Sequence, residues 1–132
     1  MQPGFNHTNH TKKTRANIGQ EGEECVTNWL KQHGYEILAR NFHARCGEID
    51  IIAKKDSVIS FVEVKRRRSH YFSLSEVITR SKQRKIAQTA RIFIAQQKSN
   101  LLCGYRFDVA LVEKGAAIVY VENAFSLETV TW

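Results

Sequence analysis

No stretch of the 132-residue chain approaches the roughly 18 consecutive apolar residues of a membrane-spanning helix. That lack excludes an integral helical membrane protein. The opening residues are polar and basic with no apolar segment, so no secretory leader is expected. Cysteines are few: Cys25, Cys46 and Cys103 are widely spaced and odd in number. They form neither a CxxC zinc pattern nor a disulfide framework, and read as reduced thiols in a cytoplasm. No internal repeat, low-complexity segment or interdomain linker divides the chain. Its length fits one domain over residues 16–132, preceded by a disordered basic arm over residues 1–15 that lacks apolar periodicity. A chain of this size can bury enough surface to fold without disulfides or a structural metal.

Acids are scarce in one region. From Lys65 to Arg91 nine basic residues face one acid, Glu76, a net charge of +8. From Phe107 to Trp132 the balance reverses to −3. Such asymmetry is the footprint of a side that faces a polyanion, and nucleic acid is the expected partner.

What is present is a pattern of helix, three strands, helix and two strands. Ile18, Gly22, Cys25, Val26, Trp29 and Leu30 mark one face of a helix from Ala16 to His33, which Gly34 should end. Glu23 points toward its core side, either as a site carboxylate or as the partner of a nearby cation. Tyr35 to Arg40 alternates as a short first strand, and Asn41 to Cys46 reads as an irregular connection. A second helix should begin near Arg80 or Ser81 and end near Lys98, with Ile86, Ala90, Phe93, Ile94 and Gln97 facing inward. Lys82 and Gln83 fall at its rim, and Arg84 and Lys85 toward solvent. Arg106 to Glu113 and Ala116 to Val121 are the last strands. The expected architecture is a mixed α/β sheet flanked by two helices.

The segment Gly47 to Lys65, GEIDIIAKKDSVISFVEVK, reads as a hairpin of two apolar strands that also carry Glu48, Asp50, Glu63 and Lys65. Charges among apolar strand residues are costly unless they are paired or bind a metal. Strand alternation places Glu48, Asp50 and Ile52 on one face and Ile49, Ile51 and Ala53 on the other. A Lys55–Asp56 turn sets Asp50 against Phe61, and an Asp56–Ser57 turn sets it against Glu63. Either register leaves Asp50 and Glu63 on one face. Two carboxylates, with the Val64 peptide carbonyl as a further ligand, suit Mg²⁺, a hard cation that keeps several waters. Mn²⁺ is a substitute. Lys65 could orient a water or offset charge on a phosphorane-like transition state. Glu48 is either a second ligand or a support for one.

The segments Gly22-Glu23, HGYEILARN from His33 to Asn41, GEIDIIA from Gly47 to Ala53, FVEVKRR from Phe61 to Arg67 and RFDV from Arg106 to Val109 resemble the YraN family. These are small bacterial proteins assigned as endonucleases from their motifs. That family is similar to the PD-(D/E)XK nucleases and, within them, to archaeal Holliday junction resolvases. The resemblance implies a restriction-endonuclease-like αβββαβ core and a Mg²⁺ site. It implies Asp50, Glu63 and Glu23 as metal-binding and catalytic acids, and Lys65 as the catalytic lysine. Ile49 stands where the superfamily's name has proline. Lys82 and Gln83 fall where a helix residue lies near the phosphate. Arg66, Arg67, Arg84 and Lys85 are further expected phosphate contacts. Resolvase-like nucleases work as dimers, so a homodimer is the implied assembly. The expected activity is Mg²⁺-dependent hydrolysis of phosphodiester bonds in DNA, including branched or structured DNA. The alternative is a non-catalytic nucleic-acid-binding protein that keeps the nuclease-like fold. A third reading is an interaction protein that uses its apolar C-terminal tail.

Overall fold

A computed structural model describes residues 15–66, 78–97, 103–113 and 117–126, with side chains from residue 19 onward. The helix α1 spans Arg15–Gln32, followed by the strands β1 (Glu36–Ala44), β2 (Gly47–Lys55) and β3 (Val58–Arg66). The helix α2 (Arg80–Gln96) leads to β4 (Gly104–Val112) and β5 (Ile118–Phe125). Among the described residues the expected element order holds. The basic arm, apart from residue 15, the segment containing Arg67 and the C-terminal tail beyond residue 126 lie outside the described residues. The last strand, expected over Ala116 to Val121, instead runs on to Phe125. Among the described residues no helix is long and apolar enough to cross a membrane.

The strands form one sheet in the order β1-β2-β3-β4-β5. All neighbours are antiparallel except β3 and β4, which run parallel and are connected through α2. Parallel neighbours need such a crossover. The two helices pack on opposite faces. Val26 and Leu30 of α1 join Ile51, Ala53 and Val62 in one cluster. Ile86, Ala90 and Phe93 of α2 join Ile52, Ile59 and Phe61 in the other. The result is a mixed α/β fold with an apolar layer on each side of the sheet.

Helix α1 ends as its glycine requires. Gly34 takes φ +86, the left-handed region where a Cβ would be strained. The Tyr35 N–H donates to the Leu30 carbonyl at 3.0 Å and the Gly34 N–H to that of Lys31 at 3.2 Å. This is the paired bonding of a Schellman cap. At the start of α2 the Thr79 side chain accepts the Lys82 N–H at 3.2 Å.

Three further sequence readings need correction. Strand β1 continues to Ala44, through much of the stretch read as an irregular connection. The register shift falls earlier, between Ile37 and Ala39, and Asn41 adopts φ +50 inside the strand without changing the register on either side. Asparagine tolerates that conformation better than most side chains. On α2 the inner face is built by Ile86, Ala87, Thr89, Ala90 and Phe93, whereas Gln97 is exposed as the C-terminal cap. Strand β2 does not alternate throughout. Ile49 joins the cluster under α2, while Ile51 and Ala53 join the one under α1. The alternation breaks beside Asp50, where the β1–β2 pairing passes from Arg40↔Ile51 to Phe42↔Ile49 and skips Asn41 and Asp50. Such local breaks re-aim side chains at strand edges and sites.

Candidate metal-dependent nuclease site

The β2–β3 hairpin uses the Asp56–Ser57 turn, with Lys55 paired to Val58 and Ile51 to Val62. Asp56 takes φ +54 there, a conformation that Asp tolerates in turns. This register sets Asp50 opposite Glu63, one step past the last paired residues. The strands no longer exchange ladder bonds at this step. Instead the Val64 N–H donates to Asp50 Oδ2 at 2.8 Å. Asp50 thus satisfies a backbone donor that the separated strand would leave without its ladder partner.

A cavity of about 340 Å³ opens at this point, lined by Glu23, Glu48, Asp50, Glu63, Lys65 and Lys82. Val64 and Arg66 complete its β3 wall, and Gly22 brings α1 close above it. A Cβ at Gly22 would stand 3.7 Å from Val64 Cγ1, so the helix rests directly on the strand. That close seating carries Glu23, the next residue, to the cavity.

Glu63 is buried, with 7% of its side chain exposed, and both lysines meet the same carboxylate oxygen. Lys82 Nζ lies 2.5 Å from Glu63 Oε1, and Lys65 Nζ lies 3.7 Å from it. Burial, then the neighbouring Glu63 charge, pushes the Asp50 carboxyl up to about 7, although the Val64 N–H opposes the shift. The Asp50 and Glu63 side chains are also close enough to share a hydrogen bond. Lys65 is held below the usual lysine range, first by its contact with Lys82 and then by burial. For Lys82 burial acts against the charge, but hydrogen bonds to Glu63 and Lys65 outweigh it and raise the group. Burial also raises Glu23, against a hydrogen bond from Asn41 and the charge of Arg40.

The sequence-derived residues are therefore not all equivalent. Asp50, Glu63, Lys65, Lys82 and Glu23 share the cavity. Arg66 is exposed at its edge, with Nη2 3.6 Å from Glu21 Oε2. Gln83 is drawn elsewhere: its Nε2 donates to the Ile78 carbonyl at 3.1 Å, bracing the entry to α2. Arg84 and Lys85 are exposed on α2, outside the cavity lining. Arg67 lies outside the described residues. Glu48 faces the cavity but is exposed, and its Oε2 lies 3.2 Å from His43 Nδ1.

Sequence reasoning missed Asn41. It bonds Glu23 from its left-handed position in β1, and no sequence pattern separates it from Arg40 beside it. It also left Asp108 without a role. Asp108 is fully buried and accepts the Arg106 Nε–H at 2.8 Å, the Tyr120 hydroxyl at 2.6 Å and the Asn123 N–H at 2.9 Å. These bonds tie β5 to β4 where their register shifts between Phe107 and Val109.

Metal chemistry can be tested on the donor set. Among the described residues no group of three or more His, Cys, Asp or Glu side chains is arranged to hold a metal by itself. Glu23 therefore does not join Asp50 and Glu63 in a ready-made cage. Two carboxylates with a peptide carbonyl still fit Mg²⁺, which takes few protein ligands and keeps its waters. Burial raises Asp50 first and the Glu63 charge adds to it; that second part is what a divalent cation held by the pair would relieve.

The model of Uncharacterised protein family UPF0102 matches residues 22–112. The chain belongs to that family, the YraN family. A UPF0102 protein of Caldicellulosiruptor saccharolyticus is 50% identical over 117 residues, covering 84% of this chain and 98% of its own. One from Clostridium botulinum is 41% identical over 116 residues, with 83% and 94% covered. One from Vibrio parahaemolyticus is 36% identical over 115 residues, with 86% and 95% covered. The UPF0102 match begins at Gly22, beside Glu23, and runs through Asp50, Glu63, Lys65 and Lys82 to the end of β4. Every residue of the cavity discussed above therefore lies within the family's shared region.

Proposed function

We propose that this UPF0102 protein is a Mg²⁺-dependent endonuclease that hydrolyses phosphodiester bonds in DNA. One observation carries the reading: Asp50, Glu63 and Lys65 converge in one cavity at the point where the β2–β3 ladder ends. A carboxyl pushed up by burial and by the charge of a buried neighbour, as Asp50 is beside Glu63, is unfavourable as plain structure, and such perturbation gathers at functional sites.

Asp50, Glu63 and the Val64 carbonyl would hold the cation. Bound Mg²⁺ supplies Lewis-acid activation of the phosphodiester and of the water that attacks it. Asp50 Oδ2 is held in place by the Val64 N–H, so the donor pair is preorganised at that end. Lys65, held below its usual range, orients the water or takes a proton from it; when charged it offsets the growing negative charge on phosphorus oxygens. Glu23 adds negative potential from α1. The exposed Arg66, Arg84 and Lys85 supply phosphate contacts beside the cavity.

The test is cleavage of labelled linear, nicked and four-way DNA with Mg²⁺ or Mn²⁺. Wild type is compared with Asp50→Asn and Glu63→Gln. Cleavage that depends on the metal and is lost in both variants supports the reading. Cleavage that survives both removes this site. Salt-sensitive binding without cleavage, unchanged by metal or by either substitution, would instead make the protein a binding module on a nuclease-like fold.

A further inference from the structure

Glu63 Oε1 faces two cations. Lys82 and Lys65 both approach that one oxygen, and the side chain is only 7% exposed. A divalent cation held by Asp50 and Glu63 would compete for this carboxylate. Lys82 Nζ, the nearer ammonium, stands in direct competition with it.

The two lysines are not held alike. Lys65 leaves the same strand as Glu63, two residues on. Lys82 comes from the first turn of α2, which carries no acid. A cation there is disfavoured by the helix dipole and needs an anion close by. Glu63 is that anion. A phosphate arriving at the basic N-terminal half of α2 is a second one, with several oxygens. Lys82 is 38% exposed, and its stem has four flexible carbons. It can turn from Glu63 to phosphate without moving the helix.

We propose that Lys82 couples phosphate binding to metal binding, holding Glu63 Oε1 until a DNA phosphate draws its ammonium away. The inference rests on the nuclease reading and deepens it. The site completes its metal centre on DNA and stays guarded without it. Linkage makes the effect reciprocal: the factor by which DNA tightens the metal is the factor by which the metal tightens DNA. Lys82 acts here through Glu63, as a positioning residue.

Calorimetric titration of Mg²⁺ into the whole chain tests this, with and without a short duplex of non-hydrolysable linkages. Wild type should bind Mg²⁺ roughly tenfold more tightly with the duplex, a difference of about 1.4 kcal/mol. Lys82→Met should bind the ion that tightly without DNA and gain little from the duplex. Lys82→Gln removes the same charge with a different shape and should behave alike. Lys82→Arg should keep the coupling. Thermal melts in EDTA establish that each variant is folded. If neither Met nor Gln tightens DNA-free binding while Glu63→Gln abolishes it, the guard is wrong and the metal site stands. If no variant binds Mg²⁺ with or without duplex, the metal site fails and the guard fails with it.

Discussion

Asp50 Oδ2 accepts the Val64 N–H at 2.8 Å, so a carboxylate takes the place of a sheet bond where β2 and β3 separate. This makes Asp50 structural as well as chemical, and the two roles can be parted. Asparagine keeps a carbonyl oxygen for the Val64 N–H but loses the charge. Alanine loses both. In EDTA near pH 8, Asp50→Asn should melt at or above wild type, because a buried charge beside Glu63 has gone. Asp50→Ala should lose about 1–3 kcal/mol, the usual consequence of leaving a buried donor unsatisfied. Both should lose metal-dependent cleavage. Equal melting of Asn and Ala variants would show that the Val64 bond contributes nothing.

The raised Asp50 carboxyl has a consequence for stability against pH. Its ordinary value is 3.8, and in the fold it is pushed up to about 7, first by burial and then by Glu63. Between those values the folded state holds a proton that the unfolded chain has released. The contribution is therefore full below the lower value and is lost as pH rises through the upper one. Each unit of difference corresponds to about 1.4 kcal/mol. Melting temperature in EDTA should fall from about pH 4 to about pH 7, against whatever other groups contribute. Asp50→Asn should remove that part of the slope. Saturating Mg²⁺ should flatten it too, since the cation favours the ionised pair. A wild-type slope identical to that of Asp50→Asn would count against the raised carboxyl.

The hairpin was legible in the sequence because alternation and turn parity constrain each other. Both admissible turns kept Asp50 and Glu63 on one face, and the structure uses the one that sets them opposite. Gly34 was legible because a helix stop needs the left-handed backbone that glycine adopts freely. The break beside Asp50 was not legible. Ile49 and Ile51 are equally apolar, and nothing in the pattern tells which face each takes when the ladder skips a pair. Asn41 was read as connection because a strand pattern gives no credit to a left-handed residue. Lys82 was placed at the rim of α2 correctly, and it is half-buried there. Its bond to Glu63 joins residues 19 positions apart, and no local period reports such a contact.

Asp108 should govern stability rather than chemistry. It is fully buried, and Arg106 holds it with two bonds, Nε–H to Oδ1 at 2.8 Å and Nη2–H to Oδ2 at 3.0 Å. Arg106 Nη2 also donates to the Tyr35 hydroxyl at 2.9 Å, linking β4 to the cap of α1. Removing one partner of a buried pair leaves the other charge uncompensated, which typically destabilises by about 3–5 kcal/mol. Asp108→Ala should lower the denaturant midpoint by a corresponding amount. A Tyr120→Phe change removes one of the bonds and leaves the ion pair, so its effect should be about 1 kcal/mol. Chemical denaturation of the two variants checks the ranking. A larger loss from Tyr120→Phe than from Asp108→Ala would place the strength of this network in the hydroxyl.

Helix α2 carries Arg84 and Lys85 exposed, with no acid in its first turn. If phosphates lie along this face, each cation releases a condensed counterion when DNA binds. The logarithm of affinity then falls with the logarithm of salt with a slope of about −0.9 per phosphate contact. The double variant Arg84→Ala, Lys85→Ala should make that slope shallower by about 2 units. Binding should weaken to a similar degree across unrelated sequences, because phosphate contacts position the protein without reading bases. Fluorescence anisotropy with labelled duplexes over a range of salt measures both quantities. A double variant with the wild-type slope would move the DNA path off α2, and Arg66 on the β3 side of the cavity would then be the next cation to replace.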